Sequence, residues 1–138
     1  MIRTIIIIVF LSNACYTFCQ KTLTIEISNL DRSSGTIFIG LFNNPQTFPK
    51  EGKAFRDIKL IAVAPTTRTS IELPCGTYAI ALYHDCNNNG KCDTNFLGIP
   101  NEGYGFSNNV KPKFAAPTFK QTAFELNSDK TVIINLIY

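Results

Sequence analysis

Residues 77–84 read TYAIALYH, and residues 85–93 continue as DCNNNGKCD. The first stretch decides the fold. Tyr78, Ile80, Leu82 and His84 alternate with Ala79, Ala81 and Tyr83, the period of two that sends successive side chains to opposite faces of a strand. Both sets are largely apolar, so the strand is expected to be central. The second stretch ends it. Asn and Asp bond their own backbone and Asn tolerates left-handed conformations, so Asn87-Asn88-Asn89-Gly90 spells a tight reversal.

Outward from this strand the chain reads as short β runs between turn-forming residues. Thr22 to Ser28 alternates, with Leu23, Ile25 and Ile27 on one face and Thr24 and Glu26 on the other. Asn29 to Gly35 is a turn by composition. Thr36 to Phe42 is a second strand, in which Gly40 marks a bulge or a close backbone approach. Asn43 to Arg56 is a longer connection with Pro45 and Pro49; Phe48 and Phe55 are expected to tuck it onto the core, and Lys50 to Phe55 to form one helical turn. Ile58 to Val63, Thr69 to Leu73, Thr122 to Leu126 and Thr131 to Tyr138 complete a set of seven strands. Regular turns and the want of a long amphipathic helix predict an all-β fold, an antiparallel seven-stranded β-sandwich of Ig-like or prealbumin-like type. One long loop, from Asp85 to about Lys113, interrupts the pattern. Its Phe96, Leu97, Ile99, Tyr104 and Phe106 predict an ordered loop that packs back on the sheet.

The 138 residues, 45% hydrophobic and 17% charged, suit one domain. A net charge of +3 without a Lys/Arg cluster gives no basis for nucleic-acid binding. Met1-Ile2-Arg3, then the apolar Ile5 to Leu11, then Ser12-Asn13-Ala14, follow the plan of a secretory signal. The apolar run is too short to span a bilayer, which needs about 20 residues. Residues 1–19 are therefore expected to be a signal peptide and 20–138 a single exported domain, periplasmic or secreted. A lipoprotein anchored at Cys15 is the alternative, although Asn13 fits that motif poorly. A cut after Cys19 leaves Cys75, Cys86 and Cys92. Cys86 and Cys92 flank the glycine reversal and are the expected disulfide. Geometry disfavours Cys75–Cys86, because the strand between them spans about 25 Å. Cys75 is then a buried or lone thiol.

The loop has the spacing of a cation-wrapping turn. With Asp85 as position 1 of an EF-hand-type loop, Asn87, Asn89, Lys91 (through its carbonyl) and Asp93 fall at 3, 5, 7 and 9, and Gly90 at 6. Position 12 is Phe96, which cannot ligate through its side chain, so Glu102 would have to supply the closing carboxylate. A Ca²⁺ site so built is weak, about 0.1–1 mM. The same residues also read as a metal-free turn rich in side-chain-to-backbone bonds. His84, Cys86 and Cys92 are zinc-ligand types without an evident fourth ligand. His84, Asp85 and Glu102 are the candidates for a hydrolase-like enzyme, with no nucleophile to complete them. Tyr104, Phe106, Phe114 and Phe119 line a ligand groove or pack the core.

Several motifs carry a family resemblance. Gly76-x-Tyr78-Ala79, His84-Asp85, Asn87-x-Asn89-Gly90, Asp93-x-Asn95, Gly98-x-Pro100 and Glu102-Gly103-x-Gly105-Phe106-Ser107-Asn108 are followed by Ala116-Pro117-x-Phe119 and Ala123-Phe124. In these the chain resembles the bacterial exported domain-of-unknown-function family numbered 2141. Cys86 and Cys92 depart from that pattern. The resemblance implies no biochemical activity. The Pro74-x-Gly76-x-Tyr78 entry is also similar to that of transthyretin-like and carboxypeptidase-regulatory-like modules, an analogy of fold. The sequence therefore points to a non-enzymatic exported module that presents a surface to an extracellular or envelope partner. A hydrolase-like enzyme and a small apolar-ligand carrier are the alternatives, the latter needing a cavity between the sheets.

Overall fold

A computed structural model describes residues 19–138. Residues 1–18, which hold all of the expected signal segment but Cys19 and include Cys15, lie outside the described residues. The chain forms eight strands: β1 (Gln20–Ser28), β2 (Thr36–Phe42), β3 (Arg56–Ile61), β4 (Thr66–Pro74), β5 (Gly76–Asp85), β6 (Gly103–Phe106), β7 (Phe124–Leu126) and β8 (Lys130–Asn135). A 3₁₀ turn, Ser107–Asn109, and a single-turn helix α1, Phe119–Thr122, are the only helical pieces among the described residues. None of the described helices is long and apolar enough to cross a membrane.

The strands form two sheets. The first runs β4-β1-β8; the second runs β3-β2-β5-β6, with β7 pairing the start of β5. The expected central strand is central: β5 has β2 on one side and β6 and β7 on the other. Leu23, Ile25 and Ile27 of β1 face Ile37, Ile39 and Leu41 of β2 and Ile80 and Leu82 of β5 in one continuous core. Each of these follows the alternation of its strand.

Of the two rings expected to tuck the β2–β3 connection onto the core, Phe48 is buried but Phe55 is exposed. Three further expectations need correction. There are eight strands, because β6 lies inside the segment read as loop. Gly103 and Gly105 look like turn residues in sequence. In the fold they let β6 lie against the C-terminal segment: a Cβ on Gly105 would sit 2.6 Å from Ile134 Cγ2, and one on Gly103 2.6 Å from the Tyr138 ring. The fold is also not wholly antiparallel, since β1 and β8 pair in parallel, Ile25 opposite Val132. Alternation fixes which face a residue takes but not strand direction. Lys50 to Phe55, finally, forms no helical turn. Successive turns cross residues 44–53, with Lys50 N–H donating to the Thr47 carbonyl at 2.8 Å and Lys53 N–H to that of Lys50 at 3.2 Å.

Gly40 causes no bulge, for the β2–β5 register runs unbroken from Thr36 opposite Asp85 to Phe42 opposite Ala79. It marks a close approach: a Cβ there would lie 2.8 Å from the Phe42 ring. Tyr104 and Ile137 exchange backbone hydrogen bonds at 2.9 and 2.8 Å, joining the sheets at one corner.

The two outer faces differ. On the first sheet Thr24 bonds Ser70 at 2.9 Å, and Glu26 lies opposite Arg68 with 3.8 Å between charged atoms. That is an ordinary solvated face. The second sheet wears aromatic rings outward.

Candidate functional site

The register of the second sheet builds a groove. One row across its four strands is Lys59, Phe38, Tyr83 and Tyr104. The next is Asp57, Gly40, Ala81 and Phe106, and beyond it stand Phe42 and Ala79. A row of large rings thus lies beside a row whose middle is Gly40 and Ala81. The missing side-chain volume is the floor. Phe38 and Tyr83 stack with centroids 5.0 Å apart and planes 2° from parallel, and the Lys59 ammonium sits 4.8 Å over the Phe38 ring. Phe48, from the β2–β3 connection, meets Phe42, Phe106 and Phe119 edge-on at 5.1, 6.3 and 6.0 Å and holds the opposite wall. The resulting groove has a volume of about 500 Å³, with Pro49, Gly52 and Ala54 along one margin and Gly90, Cys92 and Pro100 at its end. Lys50, Glu51, Asp57 and Lys59 line it too, two charges of each sign. Burial pushes the Tyr83 phenol up to about 12 and the Cys92 thiol up to about 11, with nearby carboxylates adding to both.

The aromatics named from sequence divide. Tyr104 and Phe106 line the groove. Phe119 packs behind it on Phe48, and Phe114 is fully exposed. The loop tip does not pack back as expected, because Phe96, Leu97 and Ile99 are all exposed.

The loop at the groove's end is pinned by two buried carboxylates. Asp85, 1% exposed, accepts hydrogen bonds from Asn89 N–H at 3.2 Å and Gly90 N–H at 2.8 Å. Glu102, 7% exposed, accepts Cys86 N–H at 3.0 Å on one oxygen and Asp93 N–H at 3.1 Å on the other. Glu102 so ties the two ends of the Asn-rich turn. The Asn87 and Asn89 carbonyl oxygens each accept an N–H two residues on, at 3.0 and 2.9 Å. Their amide NH₂ groups donate to the Asp93 carboxylate at 2.7 to 3.0 Å. Asp85, Asn87, Asn89, Asp93 and Glu102 are therefore brought together around the turn, each bonded within it. For a cation to take this set, the Asn87 and Asn89 amides must turn and release Asp93.

The hydrolase-like arrangement is not assembled. His84 is fully buried; Nε2 lies 2.6 Å from the Ser34 carbonyl and Nδ1 3.3 Å from the Tyr138 hydroxyl. Asp85 and Glu102 spend their oxygens on backbone amides, and the three do not converge on an open cleft. The Cys86–Cys92 bridge does not form either: both thiols are free, and the disulfide joins Cys19 to Cys75, Cα atoms 5.5 Å apart. Cys75 is thus not a lone thiol. The β1–β4 ladder, with Gln20 opposite Pro74, carries Cys19 to Cys75, a pairing that counting only the residues after Cys19 could not find.

Two motifs prove to be clasps. Ser107 Oγ accepts Ile80 N–H at 2.9 Å and donates to the Thr122 carbonyl at 2.6 Å. Asn108, at φ 61°, donates its amide to the Gln121 and Ala123 carbonyls at 3.1 and 2.9 Å. They fasten β5 to α1 and the chain after it. Asn95 likewise closes the loop tip on the Leu97 and Ile99 amides at 2.9 and 3.1 Å.

No curated protein and no solved structure gives a match. Residues 25–134 match a bacterial family, and the match takes in the core strands, the pinned loop and both clasps. The chain belongs to DUF2141, described as an uncharacterized protein conserved in bacteria.

Proposed function

We propose that this protein is an exported, non-enzymatic binding module, a β-sandwich of Ig-like or prealbumin-like kind, whose outer groove takes a small, planar, predominantly apolar molecule. The observation that carries this is the row of rings beside the Gly40–Ala81 floor. Ligand pockets are commonly about 300–1,000 Å³, apolar, and set with a few polar groups, and this groove is of that size and kind. Its charges balance, which favours a neutral occupant. The groove lies outside one sheet rather than between the two, so the carrier needs no internal cavity. Binding of N-phenylnaphthylamine, a neutral planar fluorophore, tests the reading. Enhanced fluorescence should be lost when Ala81→Trp fills the floor; enhancement indifferent to Ala81→Trp would refute it.

The Cys19–Cys75 bridge supports export, because disulfides persist in oxidising compartments. A cut after Cys19 would remove half of it, so the bridge favours a mature chain that begins at or before Cys19. The mass of the secreted protein tests this directly.

Ca²⁺ is a further ligand proposed for the loop, through Asp85, Asn87, Asn89, the Lys91 carbonyl, Asp93 and Glu102. The supporting observation is the convergence of those side chains around Gly90. Melting in millimolar Ca²⁺ and in EDTA tests it, and coincident melts would remove Ca²⁺ from the account.

A further inference from the structure

We propose that Asp31, His84 and Cys86 form a binding site for a thiophilic divalent cation, Zn²⁺ first. The site shares no residue with the groove and no ligand side chain with the Asn-rich turn that begins beside Cys86. One ligand atom from each residue lies within 4.8 Å of the others, the single such group among the described residues. The three come from different places: Asp31 from the turn between β1 and β2, His84 from β5, and Cys86 from just beyond it. His84 forms a buried floor, Cys86 is half-buried and Asp31 is exposed, so the cluster has an open mouth. Cys92 is outside the group, and the zinc set of His84, Cys86 and Cys92 is replaced by one with Asp31.

The imidazole is oriented for this role. A backbone carbonyl can only accept, so the 2.6 Å contact to Ser34 requires the proton on Nε2. Nδ1 is then the ring nitrogen left for an ion, and its protein contact is the Tyr138 hydroxyl at 3.3 Å. Metal-ligating histidines are commonly held this way, one ring nitrogen donating to a carbonyl and the other presented to the ion. Tyr138 Oη also accepts the Asp31 N–H at 3.2 Å, so a hydroxyl stands at the same opening. Imidazole with thiolate selects Zn²⁺ over Ca²⁺ or Mg²⁺, and three protein ligands leave a coordination position open. Arg32 holds the Asp31 carboxylate, with Nε 3.0 Å from each oxygen and Nη2 2.5 Å from one. The ion must share that carboxylate with Arg32. On binding, the Cys86 thiol proton goes to solvent, and its 3.4 Å contact with the His84 carbonyl is given up.

Co²⁺ titration of the full chain, with the Cys86 and Cys92 thiols confirmed free, tests the site. The expected result is one Co²⁺ bound, a near-ultraviolet sulfur-to-cobalt charge-transfer band, and displacement by Zn²⁺. Cys86→Ser should abolish the band, and Asp31→Asn should weaken binding by about tenfold or more. Cys92→Ser should change neither. His84→Ala removes a buried ring and risks the fold, so the surface-side variants carry the test, each checked by its melt. No band, or a band that survives Cys86→Ser, would overturn the site. So would loss of the band in Cys92→Ser, or an affinity indifferent to Asp31→Asn.

Discussion

Replacing Glu102 tests the loop most directly. Its carboxylate joins residues 16 apart at Cys86 and 9 apart at Asp93, and it is nearly buried. Glu102→Ala deletes both acceptors and leaves two backbone N–H groups to find partners. A hydrogen bond to a charged group contributes about 1.5–3 kcal/mol. Both N–H groups lie near the surface, so water recovers part of that, and the expected loss is about 2–4 kcal/mol. For a domain near 120 residues this lowers the melting temperature on the order of 10 °C. Glu102→Gln keeps one acceptor oxygen but turns an NH₂ toward the other amide, and should cost about half as much. Thermal melts give the magnitude. Amide exchange gives the location, with Cys86 and Asp93 losing protection first. If Glu102→Ala melts within about 2 °C of the parent, or if those two amides stay protected, the carboxylate does not hold the loop.

The remaining predictions concern other parts of the fold. Cys19→Ser with Cys75→Ser opens a loop of sequence separation 56, and should lower stability by about 4 kcal/mol in the chain-entropy account; denaturant melts measure it, and an unchanged midpoint counts against the bridge. Gly105→Ala forces a methyl onto Ile134 and should cost about 1–3 kcal/mol, read by the same melts, whereas a neutral result would mean that β6 does not lie so close. Alkaline pH should destabilise. Burial raises Tyr83 to about 12 and Cys92 to about 11, and raises Tyr78, Tyr138 and Cys86 as well. From about pH 8 upward the unfolded chain releases protons that the folded chain keeps, so stability falls as pH rises toward about 12 and these groups contribute little slope below about 8. Melts across that range with phenolate absorbance check the sign, and a flat profile would contradict it.

Much of the fold is local and so was legible. Leu23, Ile25, Ile27, Ile80 and Leu82 point inward because strand geometry alternates sides, a property each segment carries by itself. The turn at Asn87 to Gly90 was legible for the same reason, since Asn side chains bond backbone within two residues. What lay beyond reach depends on pairing across long separations. Alternation is identical for parallel and antiparallel neighbours, so the β1–β8 direction came only with the sheet. Gly103 and Gly105 signal a turn unless Tyr138 and Ile134 are known to press on them. Cys19 met Cys75 through the β1–β4 register, overriding the nearer Cys86 and Cys92. Phe38, Gly40, Ala81 and Tyr83 each had a known face. Only the register set large rings in one row and small residues in the next, and that offset is what makes a groove. Asp31 reached His84 and Cys86 the same way, across 53 and 55 residues of chain. The sequence by itself thus determined which face each residue of the alternating strands takes and where the Asn-rich reversal falls. Only the tertiary structure decided which side chains meet, because contacts between distant segments depend on strand order, direction and register that no local pattern encodes.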